Sequence, residues 1–597
     1  MGQFFKFLFA SCLGVLLALA VLFGIGSLVV ASFAAQANKA KKVKPNTVLH
    51  LTFEDPIPEL TNNAAVDPFS TDLENSTILG LHDMAAAIER AAEDDNIKGI
   101  YLEPSLTYTA GFSSTRTLRD AMQTFADSGK FIVAHSKYYF LPTYYLASAS
   151  TEVYVNTAGI MDVRGFSAQV PFFKDLLDRI DAEAQVFYAG KFKSATEPFR
   201  RTSMSDEYRL QVREYLTDYY DVFLDDVSAT RNLERAELKR IIDEHLAGNP
   251  EEALQYGLVD GVSYQVDVED RMRELIGLDE DYKVEKMSIK DYYLSNPPEQ
   301  NFRTRNKVAV VYAEGNIVDG EGGTGTTGDK PYVEAIEKVT GDDNVQAIVL
   351  RVNSPGGSAL ASENIWYALS RAKEAGKPLI VSMGDYAASG GYYISCLGDS
   401  IFAQPNTLTG SIGVFRLAPN FSETFDEELG IDYDSVRLTE ESFGYSPFFD
   451  LSESEREYIQ RETDLAYELF LQRVADGRGM SRDAVNAVAQ GRVWTGMRAV
   501  DKGLVDQVGD LERAIASAAK MADLDEYRVV DYPEVKDPFT QLLEDLFGME
   551  TDVRARLLMK YQYPELEKHY DFFQQLQETK GVQARLPFDP QWYHSAQ

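Results

Sequence analysis

Residues 94–102 read DDNIKGIYL, and residues 342–350 read DDNVQAIVL, an offset of 248 residues. Each stretch passes from an acidic turn into an apolar run of the length of a buried strand. Three further pairs keep nearly the same register: SGK at 128–130 and AGK at 375–377, YY at 144–145 and at 392–393, and GLVD at 257–260 and at 503–506. Similarity at so many positions predicts an internal duplication.

The duplication predicts a domain division for the 597 residues, which exceed the length of one ordinary domain. An NPPE segment at 296–299 is typical of a linker between the two copies. Apolar residues at helical spacing between 539 and 547 predict a helical tail. The predicted parts are a membrane anchor at 1–45, a first repeat at 46–300, a second repeat at 301–530 and a C-terminal helical tail at 531–597.

Each repeat is predicted to have an α/β fold. In the second repeat, apolar runs at 308–312, 347–352 and 379–383 alternate with helix-like stretches at 331–340 and 358–375. Short buried runs separated by helices are typical of a parallel sheet built from βαβ crossovers. We therefore expect tandem α/β domains that follow one N-terminal transmembrane helix.

Composition excludes several classes of function. The formal net charge of −35 argues against nucleic-acid binding, which needs clustered Lys and Arg. With 45% hydrophobic residues the chain can form substantial cores. Its two cysteines, Cys12 and Cys396, predict no structural disulfide because Cys12 lies in the apolar N-terminal stretch. The six histidines show no metal-binding spacing, so we expect neither a metal nor another cofactor.

The N-terminal stretch is predicted to cross a membrane. No charged residue occurs from Phe7 to Ala35, and this run exceeds the roughly 20 residues that span a bilayer. A cleaved signal peptide is the alternative, since Ala-x-Ala-like triplets occur near residues 31–37, but its apolar region would be only about 7–15 residues long. We expect a retained anchor.

The charges that flank this stretch predict an orientation. Lys39, Lys41, Lys42 and Lys44 follow the apolar run, whereas only Lys6 and the terminal amine precede it. The positive-inside rule would therefore place the body of the protein in the cytoplasm.

Two glycine-rich turns of the second repeat are candidates for chemistry. Residues 353–358 read NSPGGS and residues 383–392 read MGDYAASGGY, and each follows a strand-like run and precedes a helix-like one. The ordinary interpretations are a tight turn and, for Ser389, a helix N-cap. The functional interpretation makes Ser389 a nucleophile, with the Gly390 amide donating to a developing oxyanion.

The two repeats differ at these positions. At the offset of 248 the first repeat has LPT at 141–143, where the second has SGG at 389–391. Conversely, the first repeat contains Lys193, whereas the matching region of the second, around 440–443, contains no lysine. A structural cap has no reason to differ between copies. The pattern indicates that one copy kept a base and the other a nucleophile.

Several motifs together resemble the signal peptide peptidase A family in its long, duplicated form. The resemblance covers nearly the whole chain and is carried by residues 190–199, 353–358, 383–393, 409–413 and 491–496. It implies a ClpP/crotonase-like fold and a serine endopeptidase with a Ser/Lys dyad that degrades remnant signal peptides. It also implies a single-pass protein of the bacterial inner membrane whose body is periplasmic and oligomeric, as a tetramer. That side of the membrane conflicts with the positive-inside count.

The same resemblance implies roles for individual residues. Ser389 would be the nucleophile, Lys193 the general base and Ser411 a hydroxyl that orients the lysine. The amides of Gly357 and Gly390 would form the oxyanion hole. Lys191, two residues from Lys193, is a competing candidate on spacing alone, and the family motif favours Lys193.

A lysine base requires a special environment. The pKa of a free lysine lies near 10.4, so the amine is almost fully protonated at pH 7. Burial without a carboxylate partner lowers that pKa. Phe192, Ala195 and Phe199 would supply an apolar setting for Lys193. Glu197 must then point elsewhere, because a nearby carboxylate would raise the pKa.

Two alternatives remain open from the sequence. A crotonase-like domain uses paired glycine amides to polarise a thioester carbonyl, which would make the chain an acyl-thioester enzyme. A membrane-tethered scaffold would use both copies for assembly alone. A Ser/His/Asp hydrolase is disfavoured, because no GxSxG elbow surrounds Ser389.

Overall fold

The computed structural model describes residues 41–63, 77–279, 281–298, 301–439, 442, 444–535 and 581–586. The predicted membrane-spanning run at 7–35 and the predicted tail helix near 539–547 lie outside these residues. Within the described part of the chain, no helix is long and apolar enough to cross a membrane.

The first repeat alternates strands with helices, as the sequence predicts. Its strands are β1 (Thr47–Leu51), β2 (Ile97–Leu102), β3 (Phe131–Phe140), β4 (Glu152–Asp162), β5 (Glu183–Ala189), β6 (Gly261–Val262) and β7 (Glu285–Ser288). Its helices are α1 (Leu81–Glu93), α2 (Phe112–Asp127), α3 (Leu141–Ala147), α4 (Lys174–Arg179), α5 (Glu197–Arg200), α6 (Asp206–Arg231), α7 (Arg235–Asp243), α8 (Pro250–Gln255), α9 (Gln265–Ile276) and α10 (Ile289–Ser295), with a 3-10 turn at Ser194–Thr196.

The second repeat, together with the tail that follows it, has the same alternation. Its strands are β8 (Lys307–Glu314), β9 (Asn316–Val318), β10 (Thr326–Gly328), β11 (Val345–Ser354), β12 (Gly356–Ser358), β13 (Leu379–Ala388), β14 (Ser400–Ala403), β15 (Leu408–Gly410), β16 (Val414–Asn420), β17 (Val493–Thr495), β18 (Gln507–Val508), β19 (Arg528–Tyr532) and β20 (Gln583–Arg585). Its helices are α11 (Asp329–Gly341), α12 (Ala359–Glu374), α13 (Gly390–Ser395), α14 (Glu453–Arg478), α15 (Arg482–Val488), α16 (Gly496–Asp501) and α17 (Leu511–Met521), with a π-helical turn at Thr424–Glu428.

Each repeat has its own largely parallel sheet. In the first, the order is β6-β4-β3-β2-β1-β7, and every pairing is parallel. In the second, the order is β17-β15-β13-β11-β8-β19, with β14 and β18 beside β13, and only the β15–β17 pair is antiparallel. The predicted α/β fold with parallel sheets is confirmed.

Corresponding side chains make the same bonds in both repeats. The Tyr144 hydroxyl donates to the Leu258 carbonyl at 2.8 Å, and the Tyr392 hydroxyl donates to the Leu504 carbonyl at 2.9 Å. The comparison of the two repeats had aligned Tyr144 with Tyr392 and Leu258 with Leu504. The duplication is therefore one of tertiary contacts as well as of sequence.

Burial explains why the central strands are largely apolar. In β11, the residues from Ala347 to Val352 are all buried, because helices cover both faces of the sheet. The covering helices show the spacing of one apolar stripe, as in α1, where Leu81, Met84 and Ile88 are buried.

A third sheet joins the two repeats, in the order β10-β9-β12-β20-β16-β5. Strand β5 of the first repeat runs antiparallel to β16 of the second, from Ala189 opposite Val414 to Glu183 opposite Asn420. The end of β5 therefore lies beside the start of β16. This pairing brings the segments that follow β5 and precede β16 to one place.

A buried ion pair also connects the repeats. The Arg351 guanidinium, on β11, donates to both carboxylate oxygens of Glu59, at 2.9 and 3.2 Å. The two side chains are only 5% and 3% exposed. Because a buried charge without its partner is costly, this contact fixes residues near position 59 against the second sheet.

The described part of the C-terminal tail contains strand. Residues 583–585 form β20, and β19 ends at Tyr532. The stretch for which helix is predicted falls within 536–580, outside the described residues.

Candidate active site

Ser389 lies in the tight turn between β13 and α13. Its backbone has φ 56° and ψ −114°, a region that non-glycine residues rarely occupy. Its amide donates to the Gly410 carbonyl at 2.8 Å, and its side chain makes no capping bond to the helix. The ordinary N-cap interpretation therefore does not account for the hydroxyl, which is directed elsewhere.

Lys193 supplies the partner of that hydroxyl. Its Nζ donates to Ser389 Oγ at 2.8 Å, within the same chain. Lys193 follows β5 by four residues, and the pairing of β5 with β16 carries it across to the second repeat. The structure thus joins the two residues that the comparison of repeats singled out.

Ser411 contacts the same amine. Lys193 Nζ lies 3.1 Å from Ser411 Oγ and 3.3 Å from the Ser411 carbonyl oxygen. Ser411 precedes β16 and has a positive φ of 49°, and its amide donates to the Arg492 carbonyl at 2.7 Å. These contacts fix the direction in which the lysine amine points.

The environment of Lys193 favours the neutral amine. The side chain is 1% exposed, and burial lowers its pKa well below the ordinary value. Glu197, the carboxylate nearest in sequence, instead accepts bonds from the Ser205 amide at 2.8 Å and the Ser205 hydroxyl at 2.5 Å. The sequence requirement that Glu197 point elsewhere is met.

Lys191 does not enter the site. Its side chain is exposed, and its Nζ lies 5.2 Å from the centroid of the Phe192 ring. Ser389 Oγ is instead contacted by Lys193 Nζ, at 2.8 Å. Lys191 therefore cannot act as a base in this site.

The Gly357 and Gly390 amides lie close together beside Ser389. A Cβ placed on Gly390 would lie 3.1 Å from the Gly357 amide nitrogen and 2.7 Å from Ser362 Oγ. No side chain fits between these turns, which explains the paired glycines. Two backbone amides therefore lie close to the serine, and paired amides of this kind can stabilise an oxyanion.

Gln211 and Gly491 position the turn that contains Lys193 (the lysine turn), a role that the sequence did not indicate for either residue. Gln211, on α6, donates through Nε2 to the Phe192 carbonyl at 3.2 Å and to Ser194 Oγ at 2.8 Å. Its Oε1 accepts from the Val493 amide at 3.2 Å. One buried glutamine thereby ties both neighbours of Lys193 to the second repeat.

Gly491 allows this close approach. A Cβ at this position would lie 2.6 Å from the Lys193 amide nitrogen, and its φ is +76°. Gly491 lies in the motif at residues 491–496, but the sequence alone does not indicate why a glycine is needed at this position. The structure supplies one, since a side chain would displace the Lys193 backbone.

The equivalent turn of the first repeat is filled. Pro142 and Thr143 are buried there, and the Thr143 hydroxyl accepts from the Phe140 amide at 2.9 Å. In the second repeat, residues 440, 441 and 443, which match the lysine region, lie outside the described residues. The described chain thus contains one Ser/Lys pair, assembled from both repeats.

A metal site is not found among the described residues, where no group of three or more His, Cys, Asp or Glu side chains could hold an ion. Cys396 is buried and unpaired. The chemistry that the site offers is proton transfer between a hydroxyl and a neutral amine, next to two amide donors. This combination suits attack on a carbonyl.

Comparisons with known proteins point the same way. The sequence profile described as peptidase family S49 matches residues 124–279 and 371–525. The protein named Protease 4 of Haemophilus influenzae is 35% identical over 449 residues, which are 74% of this chain and 73% of the relative. Protease 4 of Salmonella typhi is 36% identical over 493 residues, 80% of this chain and 77% of the relative. A putative signal peptide peptidase SppA of Enterococcus faecium is 37% identical over 201 residues, 34% of this chain and 58% of the relative.

Proposed function

The chain belongs to peptidase family S49 and is a serine protease, and we propose that it cleaves apolar signal peptides with Ser389 as nucleophile and Lys193 as general base. The observation that carries these roles is the 2.8 Å contact between Lys193 Nζ and Ser389 Oγ inside a buried site. If Lys193 served only to pack the interior, an apolar residue would be more stable at this position, because no carboxylate pairs with the buried amine.

In acylation, Lys193 takes the proton of Ser389 as Oγ attacks the substrate carbonyl carbon. The amides of Gly357 and Gly390 hold the resulting oxyanion, each typically contributing about 3–4 kcal/mol to stabilising the transition state. Lys193 then gives the proton to the leaving amine. Ser411 keeps the lysine amine directed at Ser389 throughout, through its hydroxyl and carbonyl oxygens.

In deacylation, a water molecule attacks the ester that joins the substrate acyl group to Ser389. Lys193 accepts a proton from this water and returns one to Ser389 Oγ. The cycle therefore restores both side chains and needs no group beyond this chain and water.

The substrate follows from the relatives and from the site. One relative carries the name signal peptide peptidase, and signal peptides are apolar segments rich in small residues. Lys193 and Ser389 are buried, and burial is the cause that lowers the pKa of Lys193, which favours a peptide without charged side chains near the scissile bond. We propose remnant signal peptides, already released from secreted proteins, as the physiological substrates.

The finer architecture is part of the same proposal. Each repeat would be a ClpP/crotonase-like unit, and residues 1–45 would anchor a homo-oligomer, a tetramer by family resemblance, to the bacterial inner membrane. The body would lie on the periplasmic side, where released signal peptides are accessible. The lysines that follow the anchor argue for the opposite side, so accessibility of the body to added protease in spheroplasts is the test.

The test of the dyad uses the full chain in detergent and a fluorogenic apolar peptide, assayed from pH 6 to 10. Ser389→Ala and Lys193→Ala should each lose more than about 10³-fold in kcat, whereas Lys191→Ala should keep full activity. Wild-type activity should rise with pH as Lys193 loses its proton, with a midpoint below pH 10.4. Full activity in a folded Ser389→Ala or Lys193→Ala variant would refute the assignment.

A further inference from the structure

A basic segment precedes the first strand of each repeat. Residues 39–44, KAKKVK, lead into β1, and residues 303–307, RTRNK, lead into β8. The two strands begin in the same way, because the first residue of each donates its amide to an equivalent carbonyl, that of Asn96 at 2.9 Å and that of Asn344 at 2.8 Å. In a chain of net charge −35, these segments give the entry edges of both sheets a local positive charge.

The second segment borders a pocket of about 330 Å³ at the surface of the second repeat. The side chains that line it include two guanidinium groups and no carboxylate: Phe302, Thr304, Arg305, Asn344 and Arg528. Arg528 Nε is buried there and has no hydrogen-bond partner in the described part of the chain. Two guanidinium groups beside one open space favour an anion, and a phosphate group can accept hydrogen bonds from both.

The surroundings of the pocket keep this charge available. Of the two aspartates that precede Asn344, Asp342 pairs with Lys307 Nζ at 2.6 Å, and neither aspartate lines the pocket. Phe302 is 74% exposed at the edge of the same pocket. An exposed aromatic ring beside unpaired arginines is typical of a surface that meets lipid headgroups, where apolar and anionic groups lie side by side.

The pocket also lies near the point at which the anchor would join the body. The Lys41 ammonium pairs with Asp291 at 2.7 Å, and the Ser295 hydroxyl donates to the Lys41 carbonyl. Helix α10 ends at Ser295, and Phe302 follows seven residues later. Even a fully extended chain therefore keeps Phe302 within about 25 Å of Ser295. A bilayer that held the anchor would be close to this pocket.

We propose that residues 302–307 and Arg528, here called the basic face, lie on the membrane surface, and that their pocket binds the phosphate group of an anionic phospholipid. The proposal rests on the membrane anchor of the proposed function and adds a lipid contact to it. Arg305 and Arg528 donate to the phosphate oxygens, and Phe302 enters the headgroup region beside them.

This contact would set the distance between the bilayer and the active site. Strand β11 begins at Val345, next to the pocket residue Asn344, and ends ten residues later at Ser354, next to the glycine turns. Ten residues of strand span about 30 Å. With the basic face on the lipid, a substrate must leave the bilayer surface to reach Ser389.

The experiment is a calorimetric titration of the full chain in a non-ionic detergent. Dioctanoyl phosphatidylglycerol should bind at least about 10-fold more tightly than dioctanoyl phosphatidylcholine or inorganic phosphate, because choline cancels the phosphate charge and inorganic phosphate has no apolar part. Arg305→Ala and Arg528→Ala should each weaken this binding at least about 10-fold. Arg371→Ala, which removes an exposed guanidinium from α12 outside the pocket, is the matched control and should bind like the wild type.

A second measurement tests contact with the bilayer itself. The full chain carrying Phe302→Trp is reconstituted into phosphatidylglycerol nanodiscs whose acyl chains are brominated, since bromine quenches nearby tryptophans. The fluorescence that this substitution adds to that of the wild type should be quenched. Tyr367→Trp, at a position of α12 that is 59% exposed, is the control, and its added fluorescence should persist.

The results separate this proposal from the proposed function. Equal affinity for phosphatidylglycerol and inorganic phosphate, wild-type affinity in either arginine variant, or an unquenched tryptophan at position 302 overturns the lipid contact. The variants of the basic face should all cleave the fluorogenic peptide at the wild-type rate. A wild type that binds the lipid but cleaves no peptide refutes the proposed function alone, whereas one that cleaves the peptide without binding the lipid refutes the lipid contact alone.

Discussion

The burial that would make Lys193 a base also lowers the stability of the folded protein. Its pKa is lower in the folded protein than in the unfolded chain, so between the two pKa values the unfolded chain binds more protons. The free energy of unfolding therefore rises with pH across this window, and below the unfolded pKa the depressed pKa of Lys193 costs the folded protein stability.

Replacing this lysine should stabilise the protein while abolishing its activity. Lys193→Met removes the titrating amine and fills similar volume, so we expect a melting temperature at pH 7 higher by roughly 2–4 °C. The difference should shrink as the pH approaches 10. Thermal melts of Lys193→Met and of the exposed control Lys191→Met measure it, and a melting temperature unchanged or lowered at pH 7 would contradict the argument.

Gly491→Ala should reduce activity without unfolding the protein. The added methyl group would lie 2.6 Å from the Lys193 amide nitrogen, so the lysine turn must shift, and we expect kcat to fall about 100-fold. Gly277→Ala is the matched control, since its φ of +77° imposes the same backbone strain with nothing within 4 Å of the new atom. Equal activity in the two variants would show that the contact with Lys193 is unimportant.

At the scale of single residues, the sequence predicted the catalytic candidates at the positions where the two repeats differ. Ser389 and Lys193 stand out because each lacks a counterpart in the other copy. Gln211 has no such signal, since a glutamine on a helix is ordinary in sequence and its three hydrogen bonds exist only after the repeats have packed.

Among the elements, the strand pair β5–β16 could not be predicted from sequence. The parallel sheets follow from apolar runs that alternate with helices inside each repeat, and these were predicted. Strands β5 and β16 come from different repeats, and only their antiparallel pairing explains how Lys193 reaches Ser389. The same limit applies to β20, a strand of three residues, too short for a periodic pattern.

Helix α6 should contribute to catalysis through Gln211. Gln211→Leu would remove the partner of the Val493 amide and of the Ser194 hydroxyl, at a cost of about 1–3 kcal/mol for each buried group. We expect a lower kcat and a lower melting temperature, with KM little changed. Gln472→Leu, an exposed position on α14, is the control. A Gln211→Leu enzyme with wild-type kcat would exclude this positioning role.

For the whole molecule, the contacts place a complete dyad inside a single chain. Mixing Ser389→Ala with Lys193→Ala should therefore not restore activity, even after the proposed oligomers have had time to exchange subunits. Mixtures of wild type with either variant are the control, because they give the activity expected when subunits exchange but no new dyad is formed. Recovery approaching a quarter of wild-type activity would mean that Lys193 and Ser389 meet between chains, contrary to the contact at 2.8 Å.

The division of the dyad between the repeats also orders events during synthesis. The two residues are separated by 196 positions, which a ribosome takes roughly 10 to 40 seconds to translate. Until the second repeat has emerged and paired β16 with β5, the growing polypeptide contains a lysine without a nucleophile. A protease built in this order is inert throughout its own translation, and becomes active only when the final fold is complete.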